Sequence, residues 1–200
     1  MLKYIHDKEG VISWLLSQIG LLIATGILLA SIASLTFYSD WQKEAEIKAI
    51  ASNFATAIET ADLQEFPKKS SYHFPKTDYY YEVTISTDYI TVKRNDGMVS
   101  KKIVAREALL IHPWISPPMI NTRGAEGFYD YLESRCQQGQ DGSSPSSRIP
   151  RNIVENAFNE SRKELIEYPL NIDINEPVFI EKVFVYYTEG GRGSYVLVYQ

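Results

Sequence analysis

Two kinds of apolar patterning divide the chain. Residues 11–39, VISWLLSQIGLLIATGILLASIASLTFYS, carry no charged side chain, and about 20 apolar residues suffice to cross a bilayer. A segment this greasy on every side predicts a transmembrane or filament-core helix. A soluble helix of the same kind would need apolar neighbours all round, which the remaining chain can hardly supply. Beyond it the pattern turns amphipathic. Residues 41–62 contain no Gly or Pro and are rich in Ala, Glu and Lys, which favours continued helix. Ile47, Ile50, Ala51, Phe54 and Ile58 recur at three- and four-residue steps, so one face of that continuation must bury against a core. Pro67 ends the helix at the latest.

From residue 68 the apolar period shortens. Residues 79–85 (YYYEVTI) and 89–94 (YITVKR) are β-branched, aromatic and partly alternating, as half-buried strands are. Asn95-Asp96-Gly97 is a hairpin turn signal before a third strand over 98–105. Leu109-Leu110-Ile111 is a further strand candidate. The three prolines in 112–118 (HPWISPP) withdraw backbone donors and predict an irregular, packed loop. Phe128, Tyr131 and Leu132 mark a helix over 124–138. Residues 139–150 (GQDGSSPSSRIP) are polar and rich in Gly, Ser and Pro, which makes them the best site for a proteolytic nick. Ile153, Val154, Ala157, Phe158 and Leu165 predict another helix ending before Pro169. The chain closes on a hairpin, 178–188 and 194–199, around Glu189-Gly190-Gly191-Arg192-Gly193. The fold class is α+β: a long N-terminal helix, then a mixed head domain with antiparallel hairpins and two or three shorter helices. The expected organisation is a leader at 1–10, a membrane or filament-core helix at 11–39, its amphipathic continuation at 40–67, and a head at 68–200.

Composition narrows the function classes. With 14 Tyr, 8 Phe and 44% hydrophobic residues in 200, the chain can build a core and is neither disordered throughout nor fibrous. Its net charge of -5 gives a nucleic-acid partner no compositional support. The single cysteine, Cys136, leaves the fold to stand on packing without an internal disulfide.

Small residues dilute the apolar run. Gly20, Gly26, Ala30 and Ala33 are positions where another helix can approach closely, and Gly26 with Ala30 has small-xxx-small spacing. The hydroxyls of Thr25, Ser31 and Ser34 can bond across helices or back to their own. The flanks are charged: Asp7-Lys8-Glu9-Gly10 before the run and Asp40-Trp41-Gln42-Lys43-Glu44 after it. Ser31-Ile32-Ala33 is a weak site for ordinary signal peptidase, in a run longer than a secretory signal needs.

A leader ending Lys8-Glu9-Gly10, an apolar run opening at Val11 and a helix continuing into a C-terminal head together resemble the type IV pilin superfamily, in particular archaeal pilin-like proteins with class III signal peptides. The resemblance covers about the first 60 residues. It implies a prepilin peptidase, a membrane aspartyl protease, cutting between Gly10 and Val11 on the cytoplasmic side. It also implies a bilayer-inserted precursor and other pilin-like subunits as partners, in a cell-surface filament or pseudopilus. Leu15 stands where bacterial pilins carry Glu, and Ser13 where many archaeal prepilins carry Gln; the first points away from a bacterial major pilin. Lys3 and Lys8 favour a cytoplasmic N-terminus and hence an extracytoplasmic head on a single-pass anchor. The alternative function is an anchored extracytoplasmic binding domain that never polymerises.

Catalytic patterns do not emerge. His6, His73 and His112 lack metal-helix spacing, Cys136 has no CxxC or adjacent His, and Gly190-Gly191-Arg192-Gly193 has no following helix to aim donors at a phosphate. Glu164 and Glu167 fit a solvated helix face. The expectation is a non-enzymatic protein with no catalytic residues, cofactor, metal or small-molecule substrate; a site assembled from scattered residues is the remaining enzymatic possibility. Asn159-Glu160-Ser161 is an N-glycosylation sequon, placing a candidate glycan on Asn159. Tyr72, Phe74, Tyr79, Tyr80 and Tyr81 form an adhesive face or, on strand alternation, part of the core.

Overall fold

Apolar propagation sets the first element. The structure, a computed structural model, describes residues 3–95, 102–115, 124–137 and 148–200. Helix α1 spans Lys3–Asp62, so it starts in the leader rather than at Val11. Once the apolar run nucleates a helix, extension through a Pro-free leader is cheap, and Gly10 costs only about 1 kcal/mol.

The chain divides into two units, residues 1–43 and residues 44–200. In the first, every residue from 11 to 35 is exposed. Among the described residues this is the one helix long and apolar enough to cross a membrane, and none of that apolar window is buried. The core helix of a soluble fold would be mostly covered, and this window is not.

The second unit, the head, holds the rest of α1 and two four-stranded sheets. Strands β1 (Lys68–Tyr72), β2 (Tyr81–Ile85), β3 (Tyr89–Asn95), β4 (Lys102–Ala108) and β5 (Trp114–Ile115) precede helices α2 (Gly124–Gln137) and α3 (Arg151–Glu167). Strands β6 (Leu170–Ile172), β7 (Val178–Tyr186) and β8 (Arg192–Tyr199) follow. One sheet has the order β1-β7-β8-β5, the other β4-β3-β2-β6. The expected meander is present: β2 pairs antiparallel with β3, and β3 with β4. The closing hairpin pairs Ile180 with Val198 and Lys182 with Val196.

Strand alternation builds two cores. Val178 and Ile180 of β7, with Val196 and Val198 of β8, join Val83, Ile85, Ile90 and Val92 of the other sheet around Ile47, Ala51, Phe54 and Ile58 of α1. The periodic face of residues 41–62 is thus the centre of the head. The opposite face of the β7–β8 hairpin, Val183, Val185, Leu197 and Tyr199, packs with Phe128 and Leu132 of α2 and Val154 and Ala157 of α3.

Three strands depart from the sequence expectation. β5 occupies Trp114–Ile115 inside the stretch expected to be irregular, pairing in parallel with Leu197 and Val198. Pro113 just precedes it, where a strand tolerates the missing donor. Leu109-Leu110-Ile111 is not a strand. β1, of sequence KKSSY, and β6 are edge strands held by backbone pairing to β7 and β2. Residues 96–97 of the expected turn, 98–101 of the expected third strand, 116–118 of the proline stretch, 138 of the expected helix and 139–147 of the polar segment lie outside the described residues.

The aromatic group falls mostly into the core. Phe74 and Tyr81 are buried, Tyr72 and Tyr79 are half-buried, and Phe54, Tyr72 and Phe74 form a mutual cluster with centroids 4.9–5.0 Å apart. Tyr80 alone of the five points out, 63% exposed.

Candidate functional site

A cleft of about 340 Å³ opens where five segments of the head converge. Its construction starts at the β2–β3 turn. The hydroxyl of Ser86 accepts the N–H of Tyr89 at 3.2 Å, and the N–H of Ser86 bonds the carbonyl of Tyr89 at 2.9 Å. This local Ser turn carries Thr87 and Asp88 into the head, with Thr87 only 2% exposed.

Asp88 then fixes two side chains from distant parts of the chain. Arg162 of α3 directs Nε and Nη2 to Asp88 Oδ2 at 3.3 and 3.2 Å. His112 Nδ1 lies 3.1 Å from Asp88 Oδ1 and 3.3 Å from the carbonyl oxygen of Thr87. Both of those oxygens are acceptors, so the contacts suit a ring with the proton on Nδ1, an arrangement that leaves Nε2 facing away from them. The N–H of Leu109 bonds the carbonyl of Asp88 at 2.9 Å, tying the segment before β5 to the turn.

The rest of the lining mixes apolar and polar groups. Ile111 and Val196 are joined by the rings of Phe158 and Tyr195, whose centroids are 4.7 Å apart at 34°. Burial and a hydrogen bond with the Tyr187 hydroxyl raise the Tyr195 phenol well above its ordinary range. Asp62, Asn159 and Ser194 complete the wall. The hydroxyl of Thr87 is buried and has no hydrogen-bond partner among the described residues.

Sequence reasoning singled out Asn159 as a sequon and weighed His112 only as a metal ligand, setting it aside. Thr87, Asp88, His112 and Arg162 are separated by up to 75 positions (162 − 87) and form no local motif. The available signal was Thr87-Asp88 itself, a polar pair in the turn between two strands of good alternation.

The sequence-selected positions fall elsewhere. Lys8, Glu9, Gly10 and Val11 lie within α1, so the Gly10–Val11 bond is in helical backbone. Gly26, Ala30 and Ala33 share an arc of about 60° on that helix, with Gly20 roughly a third of a turn away. Apart from the backbone of its own helix and its chain neighbours, no atom lies within 4 Å of a Cβ built on Gly20 or Gly26. The hydroxyls of Thr25, Ser31 and Ser34 bond the carbonyls of Leu21, Ile27 and Ala30, each at 2.8 Å. They therefore serve their own helix rather than a neighbour.

Asn159 is exposed on α3, whereas Ser161 of its sequon is buried and donates to the carbonyl of Ile115 at 3.1 Å. Burial and the nearby Glu133 charge raise the Cys136 thiol, holding it protonated. The glycine turn joins β7 to β8, as expected, and the start of α3, which precedes it in the chain, lies beside it. Gly190 and Gly191 adopt φ of +97° and +83°, and this turn brings Glu189 to the N-terminus of α3, where Oε2 accepts the Arg151 N–H at 3.4 Å. An internal carboxylate thus occupies the position an anion would take. Among the described residues, no three His, Cys, Asp or Glu side chains converge in a group that could hold a metal ion.

No protein-family model, curated protein or solved structure matches the chain.

Proposed function

We propose that the protein is a non-enzymatic, pilin-like subunit, inserted in the membrane through residues 11–39 and assembled into a cell-surface filament or pseudopilus. The observation that carries this reading is the apolar stretch of α1, exposed on every side, in the same helix whose later turns fill the core of the head. Such a surface needs lipid or other apolar helices to cover it.

The ends of the stretch support a bilayer position. Trp14 lies near one end, and Tyr38 and Trp41 pair near the other with ring centroids 6.3 Å apart. Trp14 and Tyr38 are about 36 Å apart along an α-helix. That is longer than the hydrocarbon core and shorter than the bilayer with its headgroups, where Trp and Tyr are enriched. In this orientation Lys3 and Lys8 sit on the cytoplasmic side and the head is extracytoplasmic.

Assembly follows if lipid is exchanged for close helix packing at Gly26, Ala30 and Ala33. A prepilin peptidase cutting between Gly10 and Val11 would release the helix for that step, after local unwinding around Gly10. A second reading, a non-polymerising anchored binding domain, draws on the cleft in the head. Intact mass and N-terminal sequencing of native membrane and sheared-surface fractions separate the two. A chain starting at Val11 in sheared filaments is the expected result; a chain starting at Met1 and confined to membranes overturns the filament reading.

A further inference from the structure

We propose that the cleft lined by Thr87, His112, Asn159 and Arg162 binds a neutral polyhydroxylated ligand, a mono- or disaccharide. Volume and lining agree with such a ligand. At about 340 Å³ the cleft lies at the lower end of the size range of small-molecule sites. Phe158 and Tyr195 provide ring surface beside Ile111 and Val196, while hydroxyl, amide, imidazole and carboxylate groups stand around them. Ligands with apolar C–H faces and a girdle of hydroxyls require this combination of ring surface with both donors and acceptors.

Charge selects against an ionic ligand. Arg162 and His112 are both committed to Asp88, at 3.2 and 3.1 Å. Asp62 faces Lys182 with Oδ1 4.0 Å from Nζ. An incoming phosphate or carboxylate would have to compete with Asp88 for Arg162, and a cation with Lys182 for Asp62. Hydroxyl groups can join these networks without displacing either partner.

Thr87 supplies the independent pointer. Its hydroxyl is buried without a hydrogen-bond partner among the described residues, as is Oδ1 of the adjacent Asp88, and a buried unsatisfied group calls for an occupant that completes it. The Asp88 pairs hold His112 and Arg162 in place before binding, which reduces the ordering cost of recognition. The cleft lies wholly within residues 44–200, so this inference is independent of leader cleavage and polymerisation.

The test uses the full chain in nanodiscs free of sugar-based detergent, because a maltoside headgroup would occupy the same site. Saturation-transfer NMR is recorded with glucose, galactose, mannose and N-acetylglucosamine at millimolar concentration, and with inorganic phosphate as competitor. At least one sugar is expected to receive saturation. Thr87→Val and Asn159→Ala should each weaken it about tenfold, while Asn152→Ala should leave it unchanged. Asn159 is exposed, so its variant keeps the test decisive should Thr87→Val not fold. Absence of transfer to all four sugars, equal transfer in both cleft variants, or displacement by phosphate overturns the proposal.

Discussion

The ammonium of Lys182 donates to the main-chain carbonyl of Gln64 at 2.6 Å, two residues beyond the end of α1. It also bonds the carbonyl of Asp62. Lys182 is 6% exposed and sits at a core-facing position of β7, so a strand supplies the donors that the last carbonyls of α1 lack. Its positive charge also complements the negative end of the helix.

Replacing that lysine by an apolar chain of similar length tests the role of the bond. Lys182→Met leaves both carbonyls without their donor in a covered site, at a cost of about 1–3 kcal/mol for each unsatisfied group. The expected outcome is a lower denaturant midpoint for the detergent-solubilised full chain, followed by near-UV circular dichroism, with membrane association unchanged. An unaltered midpoint would show that water replaces the ammonium without loss.

Both outer helices begin on a carboxylate from the closing hairpin. Glu181 Oε2 accepts the Ala125 N–H at 3.1 Å and the Tyr199 hydroxyl at 2.9 Å, capping α2. Glu189 caps α3 in place of a side chain from Pro150, which has none to offer. Backbone hydrogen bonding at Glu189 itself is the main cause that lowers its pKa. A carboxylate lowered on folding stabilises above its unfolded pKa of about 4.5, and that contribution disappears as pH falls through the folded value. The protection of the Arg151 amide relative to its intrinsic exchange rate should therefore fall selectively on acidification below about pH 4.5, and Glu189→Gln should flatten that response. Glu181→Gln should destabilise the head by about 1–2 kcal/mol at neutral pH, because its oxygen serves two donors.

At the alkaline end the tyrosines take over. Burial, with smaller contributions from Tyr72 and Tyr79, pushes Tyr81 up to about 12, and its hydroxyl donates to the carbonyl of Pro75 at 2.8 Å. A phenol raised on folding contributes stability that is complete below its ordinary pKa of about 10 and is lost as pH rises through about 12. Ultraviolet titration of tyrosinate in the full chain should show a late component near pH 12 that Tyr81→Phe removes. Persistence of that component in the variant would assign it to another ring.

How legible each part was depends on what carried its information. The apolar run and the Ile47-to-Ile58 face announced themselves because burial or lipid exposure acts on every turn of a helix. The β7–β8 hairpin was readable for a similar reason, its Val and Tyr residues alternating between two cores. β1 was hidden because KKSSY offers no apolar pattern; its order comes from backbone bonds to β7. β5 was masked by the prolines around it. Lys182 left a usable trace, a lone cation at the inward parity of an apolar strand, which must find partners. The Asp88, His112 and Arg162 junction left only the polar Thr87-Asp88 turn as a trace, because tertiary structure alone brings the three residues together.

The apolar stretch of α1 offers the sharpest test of assembly. Its hydroxyls at Thr25, Ser31 and Ser34 each donate to a carbonyl of their own helix. In the proposed assembly, close approach at Gly26, Ala30 and Ala33 is the packing device. Gly26→Leu and Ala30→Leu should leave membrane insertion intact, since they add apolar surface, but should deplete the protein from sheared filaments. Ile23→Arg, near the middle of the span, opposes insertion by about 2.5–3.5 kcal/mol and should shift the chain into the alkaline-carbonate supernatant. Filament yield and carbonate extraction read these outcomes separately. Normal filament incorporation of both leucine variants would show that small residues do not set the packing, and continued membrane retention of Ile23→Arg would place the anchor elsewhere.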